Sequence, residues 1–249
     1  MLATARYAGV EAATISARCG VPRLELFEEV TSTLDVAHPL AREGAPEGTL
    51  VLAERQSAGR GRGGRAWASE AGAGIWMTLL ARPRDDAALE VLSLRVGLAA
   101  AQVLEAFTTS DVRVKWPNDL MVDDGKLGGI LIESRWRDER ADWIAIGIGI
   151  NCRVPRDVPH ARALRTDAHR VDVIATLVPA VRAAAARFGP LGAAELHEFE
   201  RRDWARGKRC TSPVAGVVEG IDARGGLLVR TATGDVAMRS GSLILEEES

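Results

Sequence analysis

Cysteine is scarce: Cys19, Cys152 and Cys210 are the only three in 249 residues. An odd number at wide spacing excludes a disulfide framework and supplies no CxxC or metal-ligand pair. All three are read as reduced thiols of a cytoplasmic protein. Charge of one sign is lacking too. Lys and Arg total 32 against 34 Asp and Glu, for a net charge of −2, so the chain has none of the overall basic bias of a nucleic-acid-binding domain. No apolar run reaches the roughly 18–20 residues that span a bilayer. The first twenty residues carry Glu11 and Arg18 where a signal peptide needs an unbroken apolar core. Residues 1–21 are weakly patterned and leave no room for a groove-reading helix-turn-helix before Leu24. The expectation is no DNA partner and no membrane. Four histidines offer no legible Ser-His-Asp or Cys-His set.

What is present begins with an apolar fraction of 47%, normal for one large domain, or one domain plus a small module. The most distinctive stretch is Ala58–Trp67, AGRGRGGRAW. Its glycines resist helix and strand. Each arginine carries a permanent charge on a planar fork that suits carboxylate or phosphate. Bare backbone amides can approach an anion closely. The stretch reads either as a mobile loop that orders around an anionic ligand or as a solvated arginine-rich turn. Its spacing fits neither the P-loop nor the dinucleotide fingerprint.

In chain order, strands are expected at Leu24–Val30 and Gly48–Glu54. Between them Thr31, Ser32 and Thr33 offer hydroxyls for a helix cap or for a ligand. Gly74–Ala81 reads as a buried strand, and Ala87–Phe107 as a helix by its Leu89, Leu92, Val96, Ala99, Val103 recurrence. Val112–Trp116 and Leu127–Glu133 read as a hairpin-like strand pair around a turn at Asp123–Gly125. Helices are expected at Val171–Phe188 and Ala193–Lys208. After that, short strands separated by turns at Asp222–Gly226 and Thr233–Asp235 indicate a small antiparallel barrel or half-barrel. The domains are therefore placed at 1–207 and 208–249.

Trp143–Asn151 carries the sharpest pattern. Ile144, Ile146, Ile148 and Ile150 point one way; Ala145, Gly147, Gly149 and Asn151 point the other. One face belongs on a core. The other is nearly stripped of side chains, which happens where something must lie against the backbone. Gly128 and Gly129 suggest a second bare strand beside it. The two read as a slot for a flat or slender ligand, or as a surface for close helix packing.

Lys115-Trp116-Pro117-Asn118-Asp119 is followed by Lys126-Leu127-Gly128-Gly129-Ile130, with AGRGRGGRAW before them and IGIGIN after. In this order and spacing the chain closely resembles the biotin–protein ligases, from about Leu24 to Leu245. The resemblance implies an α+β fold: a mixed sheet flanked by helices, class II aminoacyl-tRNA-synthetase-like, then a small SH3-like β-barrel. It implies ATP and Mg²⁺ as cofactors, biotin as substrate, and a biotin carboxyl carrier domain as protein partner. The reaction implied is adenylation of biotin to biotinyl-AMP, then transfer to a carrier lysine. The same fold also resembles lipoate- and octanoyl-transferring enzymes, and a non-enzymatic biotin-binding module is the third reading; KWPND with KLGGI favours biotin.

Carried over by motif, Ser32, Thr33, Gln56 and the backbone near Gly128, Gly147 and Gly149 would meet biotin. Arg60, Gly61 and Arg62 would hold its carboxylate and the adenylate phosphate, and Lys126 would contact both activated groups. Arg60, Arg62, Arg65, Trp67, Asn118, Lys126 and Asn151 would face the nucleotide. Arg62, Lys126, Lys115 and Asp119 are the candidates for catalysis, and the metal ligands are unassigned. Trp116 and Pro117 read as core. Two positions depart from the family pattern: Leu34 follows Thr33 where a polar residue is usual, and Gly63 stands where the loop usually carries another basic residue. The protein is expected to be a monomer or weak homodimer.

Overall fold

The alternation along Trp143–Asn151 builds a sheet with two unlike faces. The structure, a computed structural model, describes residues 2–82 and 84–246. Strands β1 (Leu2–Ala3), β2 (Arg6–Tyr7) and β3 (Val10–Glu11) precede helix α1 (Ala12–Cys19). Strand β4 (Leu24–Val30) leads to α2 (Thr33–Arg42), and β5 (Leu50–Gln56) and β6 (Gly74–Ala81) flank the arginine loop. Then come α3 (Asp86–Leu104), β7 (Val112–Lys115), β8 (Asp119–Val122), β9 (Gly125–Arg137) and β10 (Arg140–Asn151). Helices α4 (Arg170–Ala185) and α5 (Ala193–Arg202) precede β11 (Arg209–Ser212), β12 (Gly216–Ile221), β13 (Leu227–Thr231), β14 (Gly234–Met238) and β15 (Ile244–Leu245).

The main sheet has eight strands in the order β1-β4-β5-β6-β10-β9-β8-β7. Among the described strand pairs only β4 and β5 run parallel, so the sheet is mixed. Ile144, Ile146, Ile148 and Ile150 lie in one continuous core with residues of α1, α3 and α4. On the opposite face, Ala145 packs with Val30, Leu34, Val36, Ala37 and Ala41 in a second cluster under α2. Helix α2 covers only part of that face. Gly147 of β10 lies at the edge of its cover, against Leu34, and Gly149 lies beyond it.

Several boundaries differ from the sequence reading. Strand β8 lies between β7 and β9, so Val112–Trp116 and Leu127–Glu133 are not a direct hairpin pair. Residues before Leu24 are built into the main unit: β1 pairs with β4, and the β2–β3 ribbon places buried Tyr7 under the Arg170 guanidinium, 4.5 Å from the ring centroid. Helix α5 ends at Arg202, where Asp203 leaves helical geometry. The segment Asp86–Phe107, 22 residues with an 18-residue window of mean hydropathy 1.5, is long and apolar enough to cross a membrane by length and composition alone, although Asp86, Glu90, Arg95 and Glu105 interrupt its apolar run. Its apolarity serves the core: it packs against α4 and the sheet, and its buried Arg95 bonds Glu195 of α5 at 2.7 Å.

Residues 209–245 contain a five-stranded antiparallel sheet, β14-β13-β12-β11-β15. The sequence LILEE, Leu243–Glu247, reads as the final strand, and its Glu247 lies outside the described residues. Two of the contacts that dock this sheet on the rest of the molecule bear on the site. The indole N–H of Trp116 donates to the Gly225 carbonyl at 2.9 Å, and a Cβ on Gly225 would touch Leu94 of α3 at 3.1 Å. The second contact is to the arginine loop.

Candidate functional site

A cavity of about 260 Å³ opens on the glycine face of the main sheet, beside α2. It gathers Ser32, Thr33, Gln56, Arg60, Gly61, Arg62, Arg65, Trp67, Lys115, Asn118, Asp119, Lys126, Gly147, Gly149 and Asn151. Gly128 does not line it. In register, Gly128 sits opposite Ile150, so a Cβ there would face the core and lie 2.6 Å from the Ile150 side chain. Its neighbour Gly129 takes the cavity position the sequence reading gave to Gly128.

One end is a recess of neutral polar groups. Ser32 is the N-cap of α2, and it also faces the cavity, so capping and lining are one feature. Gln56 Oε1 accepts from the Thr33 amide at 2.9 Å, from Thr33 Oγ1 at 3.2 Å and from Ser32 Oγ at 3.4 Å. Leu34, the departure from the family pattern, forms the wall here: a Cβ on Gly147 would lie 3.3 Å from its Cδ1.

The middle of the floor is the bare strand pair. Gly129 and Gly149 face each other in register. A flat occupant is already there, and it is the protein's own indole. A Cβ on Gly149 would lie 2.6 Å from Trp67 Nε1, and one on Gly129 would lie 3.3 Å from Trp67 Cζ3. The Trp67 indole N–H is buried without a hydrogen-bond partner.

The other end is cationic. Lys126 Nζ lies 2.6 Å from Asp119 and 5.1 Å from the Trp67 ring centroid. The backbone of Lys126 is fixed by the His160 carbonyl and the Arg162 amide. Asn151, 5% exposed, donates Nδ2 to the Lys126 and Arg162 carbonyls, so it holds that segment in place. Asn118 Nδ2 donates to the Ile130 carbonyl at 2.8 Å. Lys115 is opposite Asp119 across the mouth of the β7–β8 hairpin. Burial holds its ammonium pKa below the ordinary lysine value; Lys126, Lys208 and Arg65 push the same way, and Asp119 opposes them.

The arginine loop is a small hairpin, not an open coil. Gly61 N donates to the Arg65 carbonyl and Trp67 N to the Gly59 carbonyl. Gly63 and Gly64 take φ values of +67° and +76°, which a basic residue at Gly63 would adopt only with strain. The arginines point to different partners. Arg60 pairs with Asp35 of α2 and lies 3.4 Å from Glu133 of β9. Arg62 donates to the Gly241 carbonyl at 2.5 Å, and Arg65 to Ser242 Oγ at 2.9 Å. Glu133 also accepts from His38 Nε2 at 2.7 Å. The His38 hydrogen bond, aided by Arg60, holds the Glu133 carboxyl below its usual range.

Asp35, Glu133, Ser69, Thr78, Lys208 and Trp204 escaped the sequence reading. Lys115 and Lys208 both place ammoniums over the Trp204 ring, at 5.2 and 3.7 Å from its centroid. Asp35 and Glu133 had a legible signal, as carboxylates two residues past Thr33 and at the end of KLGGILIE; the rest had none. Among the described residues no group of three or more His, Cys, Asp or Glu could hold a metal. The cavity can seat a slender ligand with a neutral polar head at one end and an anionic group at the other.

Residues 26–151 match the biotin/lipoate A/B protein ligase family. The bifunctional ligase/repressor BirA of Bacillus spizizenii is 44% identical over 131 residues, which cover 51% of this chain and 40% of that protein. The chain thus spans less than half of that relative's length. The biotin–[acetyl-CoA-carboxylase] ligase of Paracoccus denitrificans is 34% identical over 208 residues, covering 74% of this chain and 85% of that protein. Among solved structures, the biotin protein ligase from Aquifex aeolicus in complex with biotin and ATP superposes with a TM-score of 0.75 at 27% identity. The match covers 91% of this chain and all of that one.

Proposed function

The chain belongs to the biotin/lipoate A/B protein ligase family, and from that premise we propose that it is an ATP-dependent biotin–protein ligase. The observation that carries the reading is one cavity with a hydroxyl–amide recess at one end and Lys126 at the other, the arginine hairpin along it, and between them a glycine floor on which the Trp67 indole lies. The urea ring of biotin fits the recess of Ser32, Thr33 and Gln56, and its carboxylate reaches the cations.

In the first step a biotin carboxylate oxygen attacks the α-phosphorus of ATP. A C–O–P bond forms and pyrophosphate leaves. Carboxylate and triphosphate repel, so the role of Lys126, Arg60 and Arg62 is to hold the two anions at reacting distance. Arg60 and Lys126 are each paired with a carboxylate, so the ligand's anions replace Asp35 and Asp119 as their partners. Arg65, Trp67, Asn118 and Asn151 are assigned to the nucleotide side. In the second step a carrier lysine amine attacks the acyl carbon and AMP leaves with the bonding electrons. Lys115 and Asp119 border the place where that amine would arrive. The arginine hairpin excludes water from the mixed anhydride between the steps.

Among the described residues Asp119 is the single acidic residue lining the cavity, so Mg²⁺ fits here as a phosphate-borne ion with at most one protein carboxylate. Bound that way it would neutralise phosphate charge. We assign the acceptor as a biotin carboxyl carrier domain, 208–249 as a module distinct from 1–207, and the protein as a cytoplasmic monomer or weak homodimer. Pyrophosphate exchange into ATP tests the reading: exchange is expected with biotin and not with lipoate. Exchange with lipoate alone would move the protein to the lipoate branch, and none with either would remove the activity.

A further inference from the structure

The hydrogen bonds around Gln56 run in one direction and end outside the recess. Thr78, fully buried on β6, donates Oγ1–H to Thr33 Oγ1 at 2.8 Å, and Thr33 passes its own proton to Gln56 Oε1. With the Thr33 amide and the Ser32 hydroxyl also donating to it, Gln56 Oε1 is fixed toward α2 and its nitrogen must face the loop. That nitrogen donates to Ser69 Oγ at 2.9 Å, and Ser69 donates its hydroxyl proton to the Trp67 carbonyl at 3.1 Å. The backbone repeats the link, since the Gln56 amide donates to the Ser69 carbonyl at 3.2 Å.

Gly59, the first glycine of the hairpin, lies where these groups cross. A Cβ there would be 2.6 Å from the Trp67 carbonyl oxygen, 2.7 Å from Ser69 Oγ and 3.0 Å from Gln56 Nε2. The glycine is bare because the relay passes through the space a side chain would need. Ser69 itself is 7% exposed, so its hydroxyl is satisfied by this relay and not by bulk water. With three donors on its oxygen and one nitrogen hydrogen on Ser69, Gln56 keeps a single N–H for a ligand, the donor a urea carbonyl takes.

Resting on the biotin-ligase reading, we propose that Ser69 is a positioning residue that aims the Gln56 amide at the substrate urea and transmits its engagement to the arginine hairpin through the Trp67 carbonyl. Ser69 touches neither reacting atom. A merely structural serine would affect stability without separating the two substrates or uncoupling the loop from biotin.

The test uses the full chain with Ser69→Ala and with Ser69→Cys, which keeps the volume and weakens the hydrogen bonds. The expected result for both is a KM for biotin raised about tenfold, the scale of one lost buried hydrogen bond. The KM for ATP and the urea midpoint are expected to stay near those of the parent. At saturating biotin the parent's trypsin sites at Arg60, Arg62 and Arg65 are expected to be protected, and the variants' sites are expected to be cut as fast as without biotin. Adding Gln56→Ala to Ser69→Ala is expected to cost less than the sum of the two, because they share one relay. A biotin KM within twofold of the parent, retained protection, additive effects or failure of both variants to fold would each overturn the proposal. If the parent shows no biotin-dependent exchange, the functional reading falls and this proposal with it; if the parent exchanges normally and Ser69→Ala matches it, only the proposal falls.

Discussion

Lys126 shows how much a single side chain is asked to do. It is held by Asp119 at 2.6 Å and by the Trp67 ring, so its ammonium is placed before any ligand arrives. A charge-assisted contact contributes about 1.5–3 kcal/mol, so Lys126→Ala is expected to lower pyrophosphate exchange by roughly ten- to a hundredfold. Circular dichroism is expected to stay unchanged; full exchange in a folded variant would remove Lys126 from the chemistry. Asp203 makes a second prediction, about stability. Burial pushes its carboxyl up from 3.8 to about 6, against hydrogen bonds from the Ala205 and Arg206 amides and the charges of Arg206 and Arg113. The folded pKa lies above the unfolded one, so the folded state binds the extra proton. The penalty is absent below about pH 4, grows as pH rises through 6, and is complete above it. At 1.36 kcal/mol per unit this is roughly 3 kcal/mol. Urea unfolding is expected to show the parent losing about that much relative to Asp203→Asn between about pH 4 and 7; parallel pH profiles would contradict it. Neither the Asp203 environment nor Trp204 beside it was legible, because burial at the end of α5 depends on a bridge to Val114, ninety residues earlier.

Among the elements, β9 and β10 show what alternation can and cannot tell. The isoleucine and glycine faces of β10 follow from a period of two, and the structure has both. The phase of β9 does not follow, because two successive glycines give no contrast between faces. Register decides it: Gly129 faces Gly149 over the cavity and Gly128 faces Ile150 in the core. The two substitutions are therefore expected to separate. Gly128→Ala pushes on Ile150 and on the Gly149 carbonyl oxygen at 2.7 Å and is expected to cost about 1–3 kcal/mol of stability, as core overpacking does. Gly149→Ala meets Trp67 Nε1 at 2.6 Å and is expected to shift tryptophan emission and weaken biotin binding while the melting temperature changes less. Equal melting temperatures for the two variants would contradict the register. The β7–β8 hairpin was misread for a related reason: Pro117 and Asn118 mark a turn without saying that Asp119–Val122 folds back as a strand.

Across the whole molecule, the arginine hairpin belongs to two units at once. It leaves the first sheet, closes on itself, and reaches Gly241 and Ser242 of the second through Arg62 and Arg65. No local signal in the sequence joins positions so far apart. Deleting 208–249 would remove those two partners and uncover the Trp116 indole that bonds Gly225. A soluble truncation is expected to be cut by trypsin in the hairpin faster than the full chain and to ligate poorly. Unchanged cleavage and full ligation would make the second sheet dispensable.

Trp67 lying against the Gly129–Gly149 floor also has a consequence in time. A ligand that uses this floor cannot be seated until the indole moves, so the rate of that motion limits how fast complexes form. The observed rate of the tryptophan emission change after mixing is expected to rise with biotin concentration and then level off, the mark of a rearrangement in series with binding. A rate that climbs in proportion to biotin up to the highest concentration would show that the indole never stands in the way.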